Sequence, residues 1–71
     1  MNTLKIVRLK PKTKVVSLMA AVGRYSGVGL GDAKALIENV IGGEPVTLQF
    51  ESEIKRTEFR ALAESLGAVL D

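Results

Sequence analysis

Neither histidine nor cysteine occurs in this chain of 71 residues. The missing cysteines exclude a disulfide framework and a thiolate metal site. The missing histidines remove the commonest metal ligand and the usual general base near neutral pH. Ser17, Ser26, Ser52 and Ser65 therefore have no histidine to activate them. The acidic pair Glu51 and Glu53 reads as a solvated helix start. No catalytic residue, metal ligand or cofactor is expected. Aromatic residues are sparse too: Tyr25, Phe50 and Phe59 only. Both phenylalanines fall on inward-facing positions, so no platform for stacking nucleic-acid bases is visible. The longest apolar-rich run, Val15 to Val22, is far too short to span a bilayer. Met1-Asn2-Thr3 reads as a native start with no charged-then-apolar signal segment behind it. The lack of cysteine agrees with a cytoplasmic chain.

Acidic residues are absent from one half of the chain. From Met1 to Gly31 the charges are Lys5, Arg8, Lys10, Lys12, Lys14 and Arg24, all positive. From Asp32 to Asp71 four basic residues face eight acidic ones, so the halves carry +6 and −4. Two readings follow. A compact domain could bring the halves together and offset them. Alternatively a basic edge is offered to an acidic partner, protein or nucleic acid.

What is present is an ordinary globular composition, 46% hydrophobic. The length allows one domain, residues 1–71, and a chain this short buries only about 60% of its unfolded surface. Leu4 to Lys10 reads as a first strand, rich in branched residues and ended by Pro11. Its alternation is imperfect. Leu4 and Ile6 share a face with Arg8 and Lys10, which makes that face the wetter one. Thr13 is the expected N-cap of a first helix. Val15, Leu18, Met19 and Val22 form its apolar stripe, with Val16 and Ala20 beside it. Ala33, Leu36, Ile37 and Val40 repeat the stripe in a second helix, which Gly42-Gly43 stops.

Between these helices lie Gly27, Gly29 and Gly31. Three alternating glycines predict a tight corner over Ser26–Lys34, needed for positive φ or for close helix approach. Asp32 would favour the following helix start. A phosphate cradle is the other reading of such glycines. No strand precedes them and no Gly-Lys-Ser/Thr follows, which speaks against nucleotide binding. Val46 to Phe50 alternates cleanly as a second strand, with Val46, Leu48 and Phe50 inward. Ser52 would cap a third helix with Phe59, Leu62, Ala63 and Leu66 inward and Ile54 packed at its start. Gly67 ends it, and Ala68-Val69-Leu70 makes a short third strand. The expected fold is α+β: a two-layer sandwich in the order β-α-α-β-α-β, with a three-stranded sheet packed on three helices. A first strand between the other two, antiparallel to both, would give a split βαβ sheet; the spacing alone leaves the strand order open.

Gly27-Val28-Gly29-Leu30-Gly31-Asp32-Ala33-Lys34-Ala35-Leu36-Ile37-Glu38 resembles the glycine-leucine-glycine-leucine segment of a known family, the C-terminal domain of the bacterial ribosomal stalk protein (large-subunit protein seven/twelve). Leu62-Ala63-Glu64-Ser65-Leu66-Gly67-Ala68 is similar to that family's closing helix and terminal glycine-alanine. The likeness runs from Leu4 to Leu70, and the same fold occurs in the ClpS adaptor of the Clp protease. The resemblance implies a domain that recruits translational GTPases through a basic surface on the two helices around the glycine corner. Lys34 matches a lysine of that surface, and Val16 and Met19 match apolar members. Val15, Ala20 and Gly23 stand where the family usually has basic residues. Gly31 replaces another lysine, and Arg24 lies one position from a family cation.

The expected function is a small non-catalytic interaction module. It would dock on a macromolecular partner with an acidic surface, a translation factor or other host machinery, through helix one and the Gly27–Gly31 corner. Val16, Met19, Ala20, Arg24 and Lys34 are the expected contact residues, an apolar centre with a basic rim that Lys14 completes. The alternative is a nucleic-acid binder using Lys5, Arg8, Lys10, Lys12 and Lys14 on phosphates. The chain is expected to be a monomer or a weak dimer, associating through the third strand or the first strand's mixed face, and to stay off membranes.

Overall fold

The strand β1 (Thr3–Leu9) runs down the middle of a three-stranded sheet, flanked by β2 (Val46–Gln49) and β3 (Ala68–Leu70). It is antiparallel to both neighbours, which makes a split βαβ sheet and settles the order that spacing left open. The computed structural model describes residues 2–71; Met1, the first residue of the expected native start, lies outside them. Three helices complete the order β-α-α-β-α-β: α1 (Val15–Ser26), α2 (Leu30–Ile41) and α3 (Glu53–Leu66). The fold is the α+β arrangement expected. Among the described residues no helix is long and apolar enough to cross a membrane.

The core lies between sheet and helices. α2 packs on β1 and β2, α3 on β3 and β1, and α1 across both helices. Leu18 and Val22 of α1, Ile37 of α2 and Phe59 of α3 are fully buried against Leu4 and Ile6 of β1. These are the helical stripes read from spacing, with Ala21 added. Phe59 is the largest fully buried side chain. Its ring centroid lies 5.2 Å from that of Phe50 and 6.2 Å, edge-on, from that of Tyr25. All three aromatics are thereby engaged in or beside the core. Ser52 caps α3 as expected, its hydroxyl accepting from the Lys55 N–H at 3.2 Å. Gly67 ends the helix in the left-handed region.

Several expectations are corrected. The Leu4–Ile6 face of β1 is the core face, not the wetter one. Ile6 pairs with Leu70 and Arg8 with Val69, so β1 carries one extra residue against β3, a β-bulge. The bulge shifts the alternation. Arg8, which an unbroken strand would turn inward, stays exposed, and Leu9 comes in against the core. β2 ends at Gln49, but Phe50 is still buried, its N–H donating to the Asn2 carbonyl at 2.8 Å. Thr13 does not cap α1. Lys14 holds the N-cap position without a side-chain bond, and the Thr13 hydroxyl donates to the Lys10 and Gly67 carbonyls instead. Ile54 does not pack at the start of α3 but stands 73% exposed.

The glycine corner is shorter than expected. Gly27 takes φ +77° as the residue after α1, and Gly29 is the N-cap of α2. Gly31 and Asp32 already lie inside α2, Asp32 as the acid of its first turn. A Cβ built on Gly29 or Gly31 would meet nothing within 4 Å. Close helix approach therefore explains neither residue, and only Gly27 is required by its backbone conformation.

Candidate functional site

A shallow apolar groove runs between α1 and the start of α2. Val16, Met19, Ala20, Leu30, Gly31 and Lys34 line it, and it encloses about 530 Å³. Each position follows from helix geometry. Val16, Met19 and Ala20 are neighbours at i, i+3 and i+4 on the side of α1 that borders α2. Leu18 and Val22 of the same helix point into the core. Leu30, Gly31 and Lys34 occupy the matching first turns of α2. Val16 is 79% and Leu30 72% exposed. Met19 is half-buried, so it packs on the core with one side and lines the groove with the other.

Four of the five expected contact residues meet here: Val16, Met19, Ala20 and Lys34. Arg24 does not. It lies toward α3, over a second shallow depression shared with Ala20, Leu62 and Leu66. Its guanidinium carbon sits 5.6 Å from the Tyr25 ring centroid, a cation–π contact. Lys14 does not line the groove either; its backbone N–H donates to the Leu66 carbonyl at 3.0 Å. The cationic rim therefore reduces to Lys34 on the groove itself, with Arg24 one depression away across Ala20.

Leu30 is the groove residue that spacing missed. Gly29 and Gly31 flank it and bring no side chains to cover it. That bare flanking was the available signal: a large apolar residue between two glycines at a helix start has no local shelter.

The basic residues of the first half divide. Arg8, Lys10 and Lys12 surround a cleft formed by the β1–α1 connection and the end of α2. Lys5 pairs across from Thr47 on the exposed face of the sheet. Lys14 stands exposed at the N-cap of α1. Among the described residues no ion pair joins the halves of opposite charge. The two ion pairs among the described residues, Glu51–Lys55 at 3.1 Å and Arg60–Glu64 at 4.0 Å, both lie in the acidic half. Both are exposed i,i+4 pairs of the kind that contributes little stability. The cations of the basic half are thus left outside ion pairs among the described residues.

No family model, curated protein or solved structure matches the chain.

Proposed function

We propose that the chain is a small non-catalytic interaction module that captures a protein partner in the α1–α2 groove. The observation that carries this reading is the exposure of Val16 and Leu30 side by side on one apolar groove with Lys34 at its edge. Apolar side chains that open to water in a contiguous patch favour burial by a partner. Full burial of a valine and a leucine contributes about 1.5–3 kcal/mol each. Lys34, outside any ion pair among the described residues, suits a carboxylate beside the partner's apolar anchor. The resemblance of Gly27–Glu38 to the ribosomal stalk segment adds a direction: a translational GTPase is the partner it implies. It also implies a cytoplasmic setting.

The nucleic-acid reading draws less support. Only three of its five cations line one cleft, and no aromatic side chain stands among that cleft's lining residues.

Affinity capture from bacterial lysate with the wild-type chain and with Leu30→Asp tests the reading. A partner held by the wild type and lost by Leu30→Asp is expected. The pair Lys34→Glu and Arg24→Glu should weaken capture, mainly through Lys34. Circular dichroism should show all variants folded, since these positions lie outside the core. Identical partners on wild type and Leu30→Asp would sink the proposal.

A further inference from the structure

Among the described residues, two large apolar side chains remain exposed outside the α1–α2 groove: Ile54 and Ile41. Ile54 lies on the first turn of α3, 73% exposed, beside Glu53, Thr57 and Glu58. The four-residue spacing sets Ile54 and Glu58 side by side. The cations nearest in sequence are already engaged. Lys55 bonds Glu51 at 3.1 Å, and the Arg56 Nε–H donates to the Thr3 carbonyl at 2.7 Å. Glu53 and Glu58 are in no ion pair among the described residues. The result is an apolar knob between two open carboxylates.

Ile41, 59% exposed, has the opposite setting. It lines the cleft of about 530 Å³ at the β1–α1 connection, with Leu9, Val15 and Val40. Arg8, Lys10 and Lys12 stand around these apolar residues, and no carboxylate lines the cleft. None of the three cations is in an ion pair among the described residues.

Knob and cleft lie at opposite ends of β1. The Arg56–Thr3 bond ties the start of α3 to the start of β1, whereas the cleft begins at Arg8 and Leu9. Six residue steps of about 3.3 Å separate Thr3 from Leu9, in a molecule 29 Å long. One chain cannot seat its own knob in its own cleft. We infer that the Ile54 knob of one copy docks into the basic cleft of a second copy, head to tail. Ile54 meets the apolar residues around Ile41, while Glu53 and Glu58 meet the cations of the rim. A phosphate backbone would satisfy the cations and leave the apolar residues uncovered; a second copy covers both. Because the two surfaces differ, a single contact leaves one knob and one cleft free, so copies add in a row or close on themselves as a ring or a reciprocal pair. The contact is small, which makes it weak, and charged, which makes it salt-sensitive.

Sedimentation equilibrium on the purified chain tests this at concentrations up to about 1 mM, where weak contacts populate. In low salt the apparent mass should rise above 7.6 kDa with concentration. It should fall back in about 1 M salt, where the screening length is about 3 Å. A knob variant, Ile54→Ser with Glu58→Lys, and a cleft variant, Arg8→Glu with Lys10→Glu, should each stay at the monomer mass. Mixed in equal amounts they should form pairs and nothing longer. The first retains an intact cleft and the second an intact knob. Should either double variant fail to fold by circular dichroism, the exposed single changes Glu58→Lys and Lys10→Glu carry the same readout. A wild-type mass independent of concentration, a knob variant that still associates, or a mixture that stays monomeric would each overturn the inference. So would a monomeric wild type whose cleft binds a single-stranded oligonucleotide at low salt, which would assign the cleft to nucleic acid.

Discussion

Thr13 packs directly on Gly67, 54 positions further along the chain. Its hydroxyl donates to the Gly67 carbonyl at 3.2 Å and to the Lys10 carbonyl at 2.5 Å. Two backbone bonds reinforce the clasp, Lys10 N–H to the Gly67 carbonyl at 2.9 Å and Lys14 N–H to the Leu66 carbonyl at 3.0 Å. The connection leaving β1 is thereby fastened to the corner entering β3. A Cβ on Gly67 would fall 2.5 Å from the Thr13 hydroxyl and 3.0 Å from its Cα. Glycine is required here twice over, for space and for φ +114°.

Gly67→Ala should therefore destabilise strongly. The left-handed backbone costs roughly 1–2 kcal/mol and overpacking about 1–3 kcal/mol more. Adding Thr13→Ala should recover only part of the loss, because the Thr13 Cα and Cβ, both 3.0 Å from the new methyl, remain. Urea midpoints at constant slope measure both steps. A Gly67→Ala chain as stable as wild type would contradict the clasp.

The glycines between α1 and α2 should separate by the same measurement. Gly27→Ala meets open space but must adopt φ +77°, and should cost about 1 kcal/mol. Gly31→Ala lies in a helix with nothing within 4 Å of its new methyl. It should stabilise the chain by about 0.5–1 kcal/mol. Because Gly31 lines the α1–α2 groove, a gain in stability together with weaker partner capture would separate the groove's role from the fold's.

The element order and most of the core were legible because they rest on periodicity. The stripes on α1, α2 and α3 and the alternation Val46, Leu48, Phe50 needed only spacing. What failed depended on contacts distant in sequence. Thr13 precedes a helix as a cap would, but its partner Gly67 is remote, and that contact decides its role. A bulge changes which face a strand residue takes without changing residue types, so Arg8 and Leu9 could not be placed by alternation. The groove was legible for Val16, Met19 and Ala20 because one helix carries them. Arg24 was misplaced by the same helix. Eight residues beyond Val16 it has turned about 80° around the axis, toward α3. Lys34 was reached through family resemblance, and Leu30 only through the packing that leaves it bare.

The bulge itself predicts a difference between two neighbours on β1. Val7 and Leu9 are both half-buried, and simple alternation puts them on one face. The bulge divides them: Leu9 joins the core with Leu4 and Ile6, while Val7 is not among the residues packed on it. Leu9→Ala should then remove contacts that the core cannot replace and cost about 2 kcal/mol, at the low end for a leucine truncation because Leu9 is only partly buried. Val7→Ala should cost below about 1 kcal/mol, chiefly through lost strand preference. Chemical denaturation of the two variants decides between the bulged strand and a regular one. In a regular strand Leu9 would follow Val7 to the outer face and the two costs would converge. Arg8 supplies the physical reason for the bulged choice. A regular register would aim its guanidinium at Ile6's side of the sheet, where no buried carboxylate exists among the described residues. An uncompensated charge there costs far more than one unpaired strand residue.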